Sequence, residues 1–473
     1  MATKVVVALW VCLMVCGAMG QLTEKRLSYR AQQCRINRLT SSQPTQRIEC
    51  EGGFIEMWDQ NEEQYQCSGI HAMRVIIQPS SLALPNFHPY PRLVYIERGE
   101  GLMGVTFPGC PETYHSSRGQ HWRGEEEERE FGGQRGDLHQ KVHRFRRGDI
   151  LAIPAGAVHW CYNDGNEEVV AVAINDLNNQ ANQLDQNFRA FYLAGGLGRG
   201  EQPGLRGIRG IQRFHFQNIF SAFDPELMAE AFNVPVDLVR RMQQSEDRSL
   251  IVRVERGEMR VLSPDEAGEE EEEYYRRRTR YMGLEVNGLE ETICTTRLRH
   301  SLDNRREADV FSREGGRLNI LNEHKLPILR YLDMSAEKGH MFPNTIYSPH
   351  WSMNSHTVVY VTRGEAHMQV VGSSGRTLMD ERVREGEMFV IPQYFASTCR
   401  AGSNGFEYVA FKTTSSPMKS PVVGYTSVFR AMPVQVLTNS YMISPSEAQK
   451  LKFNREHQTF FLSPRGGGSG RRY

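Results

Sequence analysis

The chain has 473 residues with 56 basic and 56 acidic side chains, enough for two to four domains or one fold repeated. Its basic residues are scattered among strand-like runs, with no zinc-finger or RNP-type motif, which argues against a nucleic-acid partner. Of those basic residues 47 are Arg and 9 are Lys, a choice that carries much nitrogen per unit of charge.

Residues 1–20, "MATKVVVALWVCLMVCGAMG", combine an early lysine, a short apolar run and small residues at Ala18 and Gly20. This is the pattern of a secretory signal peptide with cleavage between Gly20 and Gln21. The run is short for a membrane anchor, and no later apolar run is long enough to span a bilayer, so no membrane partner is expected. Removal of this segment leaves Cys34, Cys50, Cys67, Cys110, Cys161, Cys294 and Cys399, an odd number entering an oxidising compartment.

The remainder is one unit written twice. "RLVYIERGEGLMGV" and "RFRRGDILAIPAGAVHWCYNDGNEEVVAVAI" recur in order as "HTVVYVTRGEAHMQVV" and "RVREGEMFVIPQYFASTCRAGSNGFEYVAFK". Gly99 and Gly364 are 265 residues apart, but Gly148 and Gly386 only 238, so the first copy holds 27 extra residues, within about 111–138. That stretch is polar, charged and Gly-rich, the composition of a mobile surface insertion. The repeated runs are short, rich in Val, Ile, Tyr and Phe and bounded by Gly, Asn and Pro, as strands of a sandwich or barrel are. The Ile-Pro of "AIPAG" and "VIPQY" suits strand ends. After each set of strands the period turns helical. "DPEL" and "SPSEAQKL" there offer an N-cap, a first-turn proline and an acidic residue. The expected fold is mainly β: two tandem barrels, each followed by a short helical extension.

With "QCRINRL" near the start, the two barrel motifs in each half and above all "NGLEETIC" from Asn287 to Cys294, the chain resembles the legumin-type (11S) seed storage globulins, which are bicupins. The resemblance implies two cupin jelly rolls and a cut by an asparaginyl endopeptidase between Asn287 and Gly288. The products are an acidic chain, 21–287, ending in an acidic linker at about 263–287, and a basic chain, 288–473. It further implies a Cys110 to Cys294 bridge across the cut, a Cys34 to Cys67 bridge within the acidic chain, a homo-oligomer that is a trimer before cleavage and a hexamer after it, and the seed's protein storage vacuole as destination. Residues 21–287 hold 32 basic and 39 acidic residues, net −7; residues 288–473 hold 23 and 17, net +6. Asn404-Gly405 lies between two strand-like runs and is read as a tight turn; Asn287-Gly288 follows a charged tract and is read as scissile.

Cupin barrels also house metal enzymes, so function must be argued from the site. The metal site of that superfamily takes two histidines one residue apart, a glutamate, and a further histidine from the second motif. In the first copy "GDILAIPAGAVHWCYN" keeps His159, but Arg92 stands at the glutamate position and only His88 lies near the histidine positions. A guanidinium there repels a cation. In the second copy His350 remains, while Ser352, Thr357 and Ser397 replace the other ligands. His159 and His350 are therefore read as degenerate positions with no metal or cofactor. No G-x-S-x-G, H-E-x-x-H or P-loop is present, and no enzymatic activity is expected. The alternatives are a metal- or sugar-binding bicupin and a vicilin-like storage protein that is trimeric and uncut.

Overall fold

A computed structural model of the chain describes residues 36–110, 112, 114–115, 138–197, 216–244, 248–255, 259, 293–455 and 457–464. Gly20, Gln21, Cys34, Asn287 and Gly288 lie outside these residues, as do most of the insertion and the acidic linker.

Each copy of the repeat folds as an antiparallel jelly roll. In the first, a seven-stranded sheet runs in the order Gln46–Cys50, Gly53–Met57, Ile70–Ile77, Val169–Asp176, Arg92–Arg98, Asp149–Ile153, Arg299–Ser301. It faces a six-stranded sheet built around Ser81–Phe87, Val158–Asn163, Glu100–Thr106 and Val142–Arg146. In the second copy the equivalent strands form one curled ten-stranded sheet. There Thr357–Val371 and Ala396–Lys412 are long enough to pass from one face of the barrel to the other. Both Ile-Pro pairs fall where expected, closing Asp149–Ile153 and Met388–Ile391.

The near-continuous apolar runs have a physical cause. Val169–Asp176 and Asp149–Ile153 are buried at every position. One face of these strands lines the barrel, and the other packs against the second module, so neither needs the polar alternation of a half-exposed strand. The main core therefore mixes both halves. Ile55, Val94 and Val172 share it with Leu321, Leu329, Val358, Met388 and Phe411. The tyrosines of the V-Y-x-x-R-G-E motif pin the modules together: Lys338 Nζ donates to Tyr95 Oη at 2.9 Å, and Tyr360 Oη donates to Glu97 Oε2 at 2.9 Å beside Arg74. Trp58 meets the Tyr360 ring edge-on at 6.2 Å between centroids.

Asn404-Gly405 departs from the expected turn. The chain does not reverse there; Ala396–Lys412 continues through it. Its register against Thr357–Val371 shifts between the Gly364–Phe406 and Ala366–Ala401 pairs. The dipeptide sits in a bulge where the strand crosses from one face of the barrel to the other, and Gly405 supplies the positive φ of 83°. At the base of the 111–138 insertion, Tyr114 and His115 pair with His139 and Leu138, so the excursion leaves and returns through a short ladder.

The helical extensions are Pro225–Phe232 with Val236–Gln243, and Val428–Ala431, Val434–Tyr441 and Pro445–Phe453. Asp224 caps the first by accepting from Leu227 N, and Ser444 forms a full capping box with Glu447.

Candidate functional site

Three places can carry function: the two barrel interiors and the junction between the halves. In the first barrel the degenerate metal positions do converge. Arg92 pairs with Asn175 across neighbouring strands, and its Nε donates to Asn175 Oδ1 at 2.7 Å. His71 faces the same asparagine, and the His88 and His159 rings lie 5.4 Å apart in an edge-on contact. Burial, reinforced by the Arg92 charge, pushes the His71 and His159 pKa values down to about 3 and that of His88 well below its ordinary value. All three are neutral at physiological pH. Burial pulls Arg92 itself down to about 10, so it stays a cation.

The second barrel meets the same problem from the opposite strand. Thr357 occupies the register position of Arg92, and its partner Lys412 occupies that of Asn175. Lys412 Nζ donates to Thr357 Oγ1 at 3.0 Å. The imidazole is exchanged likewise: His159 pairs with Asn86 in the first barrel, His350 with Ser397 in the second. Glu337, Lys412 and Lys419 form a buried cluster, with Lys419 also donating to Tyr347 Oη at 2.6 Å. Burial opposes ionisation of Glu337, but the two ammonium groups outweigh it and hold its pKa down to about 2. Burial lowers Lys412 to about 8 against the pull of Glu337. The cluster borders a cavity of about 30 Å³, room for a water or two. Its apolar wall includes Val359, Met368 and Phe406.

Neither lumen assembles the acidic and imidazole donors that a divalent metal needs, and no group of three or more His, Cys, Asp or Glu side chains is placed to hold one among the described residues. Sequence reasoning located Arg92, His159 and His350. It missed Lys412, Lys419 and Glu337, because the pairing that brings them together is register across strands far apart in the chain.

At the junction, Cys110 and Cys294 form a disulfide with their Cα atoms 5.4 Å apart. Cys67 is disulfide-bonded as well. Cys50, Cys161 and Cys399 are free thiols; Cys399 is buried, and Cys50 and Cys161 are partly buried. The bridge is not alone. Arg299–Ser301, just beyond Cys294, adds an edge strand to the first module at Asp149–Leu151. In return, Ser42 and Leu39 of the first half bond to Met388 and Leu378 of the second, and Leu39 is buried in the second module's own core. The halves thus reach into each other in both directions, by an edge strand one way and an isolated β-bridge the other.

Two jelly rolls packed together in one chain define a bicupin, and the Cupin family matches the chain at residues 39–196 and 300–449. The "11S globulin seed storage protein 2" of Sesamum indicum is 56% identical over 470 residues, spanning 98% of this chain and 99% of that protein. The crystal structure of the coconut allergen cocosin superposes with a TM-score of 0.77 at 38% identity, covering 91% of this chain and all of that one. Recombinant pro-11S globulin of pumpkin gives 0.76 at 38% identity, covering 91% and 99%. The chain belongs to the 11S globulin family of seed storage proteins.

Proposed function

We propose that this protein is a nitrogen, carbon and sulfur reserve of the seed. In this reading it is cut by an asparaginyl endopeptidase between Asn287 and Gly288 and assembles as a trimer before the cut and a hexamer after it, in the storage vacuole. The observation that carries the cleavage reading is the double interlock around the tract that holds Asn287. A disulfide, an added edge strand and a β-bridge join the halves on either side of it, so a cut there leaves the halves joined. The Arg-rich composition suits a nitrogen reserve. Relatives named as 11S storage globulins, together with polar lumens that lack a metal-ligand set, support a role without catalysis.

Assembly is supported by the helical extensions, which leave apolar side chains exposed at Phe223, Leu227 and Phe232 in the first and at Tyr441, Met442 and Leu451 in the second. Met442 is 95% exposed, a burden that a monomer has no reason to carry. A vicilin-like reading is weaker: the tomato vicilin structure is 16% identical with a TM-score of 0.61, a likeness of fold alone.

The test is a gel of protein from seed with and without reductant, with N-terminal sequencing of the smaller chain. A start at Gly288 supports the reading, and an uncut chain overturns it. Sedimentation of Asn287→Ala tests the assembly step: the variant stays a trimer if cutting licenses pairing, and a hexameric N287A refutes that.

A further inference from the structure

We propose that the lumen of the first barrel binds one small monovalent anion of halide size, held by the Arg92 guanidinium with ring N–H groups of His88 and His71 as additional donors. Arg92 is 7% exposed, and beyond its Nε bond to Asn175 it has a terminal nitrogen, Nη2, that is buried without a partner. Both ring nitrogens of His88 and Nε2 of His71 are buried and unpartnered too. Each neutral imidazole carries one N–H donor, so Arg92, His88 and His71 each bring an unpartnered donor to the lumen, where the neutral acceptors, the other ring nitrogen of His88 and Asn86 Oδ1, carry no charge to set against the guanidinium.

The charge makes the case sharper than the unmade hydrogen bonds do. A water molecule can satisfy orphan N–H groups, but it cannot cancel a buried cation, and an unpaired buried charge is strongly unfavourable. Among the described residues no carboxylate forms an ion pair with Arg92. The groups that act on its charge are Tyr90, Tyr192 and Cys161, all neutral at pH 7. The second barrel is the internal comparison. There the lumen cations have a fixed counter-charge in Glu337, and the register places Met73 at that position in the first barrel. The first barrel has kept the cation and lacks the carboxylate. Rings close in around the site, with His88 centred 5.8 Å from Tyr90 and 5.9 Å from Phe188, which favours a compact ion of one charge.

The experiment uses the full-length protein and bromide as probe. Crystals grown in bromide should show an anomalous peak against the Arg92 guanidinium. Thermal unfolding at constant ionic strength, with bromide exchanged for gluconate, should give a midpoint that rises by about 1–2 °C per tenfold bromide above the dissociation constant. Met73→Glu supplies the missing carboxylate inside the lumen and should flatten that dependence and remove the peak, as should Arg92→Met. Should R92M fail to fold, M73E and the anomalous map of the unmodified protein decide. A lumen without a peak, or a bromide dependence that survives in M73E, overturns the proposal.

Discussion

Cutting the chain anywhere in 261–292 and then reducing Cys110–Cys294 removes every covalent link between the halves, yet they should stay together. In the uncut chain the bridge closes a sequence separation of 184 residues, a loop to which the chain-entropy relation assigns about 5 kcal/mol; in the cut chain no loop remains, and the bridge acts by keeping the two halves in one molecule. Against it stand the side chains that the second half buries in the shared core. Leu298, Leu302, Leu321, Leu326, Leu329, Leu332, Val358, Tyr360, Met388, Val390 and Phe411 are all no more than 2% exposed. At roughly 1.5–3 kcal/mol for each large apolar side chain, an upper estimate, the contact outweighs the bridge several-fold. Size-exclusion chromatography of nicked protein with and without reductant should show one unchanged peak, resolving into two chains only in denaturant. The unfolding midpoint should nevertheless fall by several degrees on reduction, because the reduced denatured chains are freer. Chains that part under reductant at neutral pH without denaturant would refute the reasoning, and Leu298→Ala, costing about 2–5 kcal/mol, should bring that point closer.

Acid should loosen the protein, since the unfolded chain protonates His71, His88, His159 and His350 as pH falls through about 6.5. The folded chain holds at least three of these neutral to about 3, so stability should decline steadily between those limits in pH-dependent denaturant titrations. Glu337→Gln should cost about 3–5 kcal/mol by leaving Lys412 and Lys419 unpaired, and Glu337→Gln with Lys412→Met should recover part of that loss in the same titrations. Gly53→Ala and Gly316→Ala should each destabilise severely or prevent folding. Both glycines hold positive φ, and a Cβ would sit 2.0 Å from Ile76 O or 1.9 Å from His340 O; soluble yield and unfolding midpoint read the effect. Ser444→Ala should cost about 1 kcal/mol through loss of the capping box, a change that Glu447→Gln reproduces only in part.

What the sequence disclosed follows from the range of each signal. Strand ends at Ile153 and Ile391 and the caps at Asp224 and Ser444 depend on neighbours within four residues, and all four stand where the local pattern puts them. The doubled barrel was legible because duplication repeats those local signals at a fixed offset. Asn404-Gly405 shows the limit. The dipeptide that reverses a two-residue hairpin also serves a bulge, and the choice is made by Gly364 and Ala366 on another strand. The lumen was half legible: Arg92 could be set against a motif position, but the Lys412, Lys419 and Glu337 cluster comes from register and has no motif. The contacts that tie the halves left no mark in the sequence, because Arg299–Ser301 and the bridging Ser42 carry no pattern that names their partners.

The two barrels differ in their lumens and agree where they touch. Their lumens place a cation and an imidazole at equivalent cross-strand positions but draw each from opposite strands, Arg92 against Lys412 and His159 against His350. A lumen that need only be filled and neutralised accepts either arrangement. The interface tyrosines allow no such freedom: Tyr95 and Tyr360 occupy one register position in the two copies, and each bonds across to the other module, to Lys338 in one case and to Glu97 in the other. Losing either hydroxyl removes a hydrogen bond to a charged group of the other module. Tyr95→Phe takes one partner from the Lys338 ammonium, which is 7% exposed and keeps its ion pair with Asp303. Tyr95→Phe combined with Tyr360→Phe removes both cross-module bonds and should therefore cost more, by about 1.5–3 kcal/mol, than Thr357→Val, which removes one bond and leaves Lys412 its ion pair with Glu337. Equal losses in urea titrations of the two variants would place the constraint in the lumens instead, and would undercut the view of this molecule as two barrels kept for their packing.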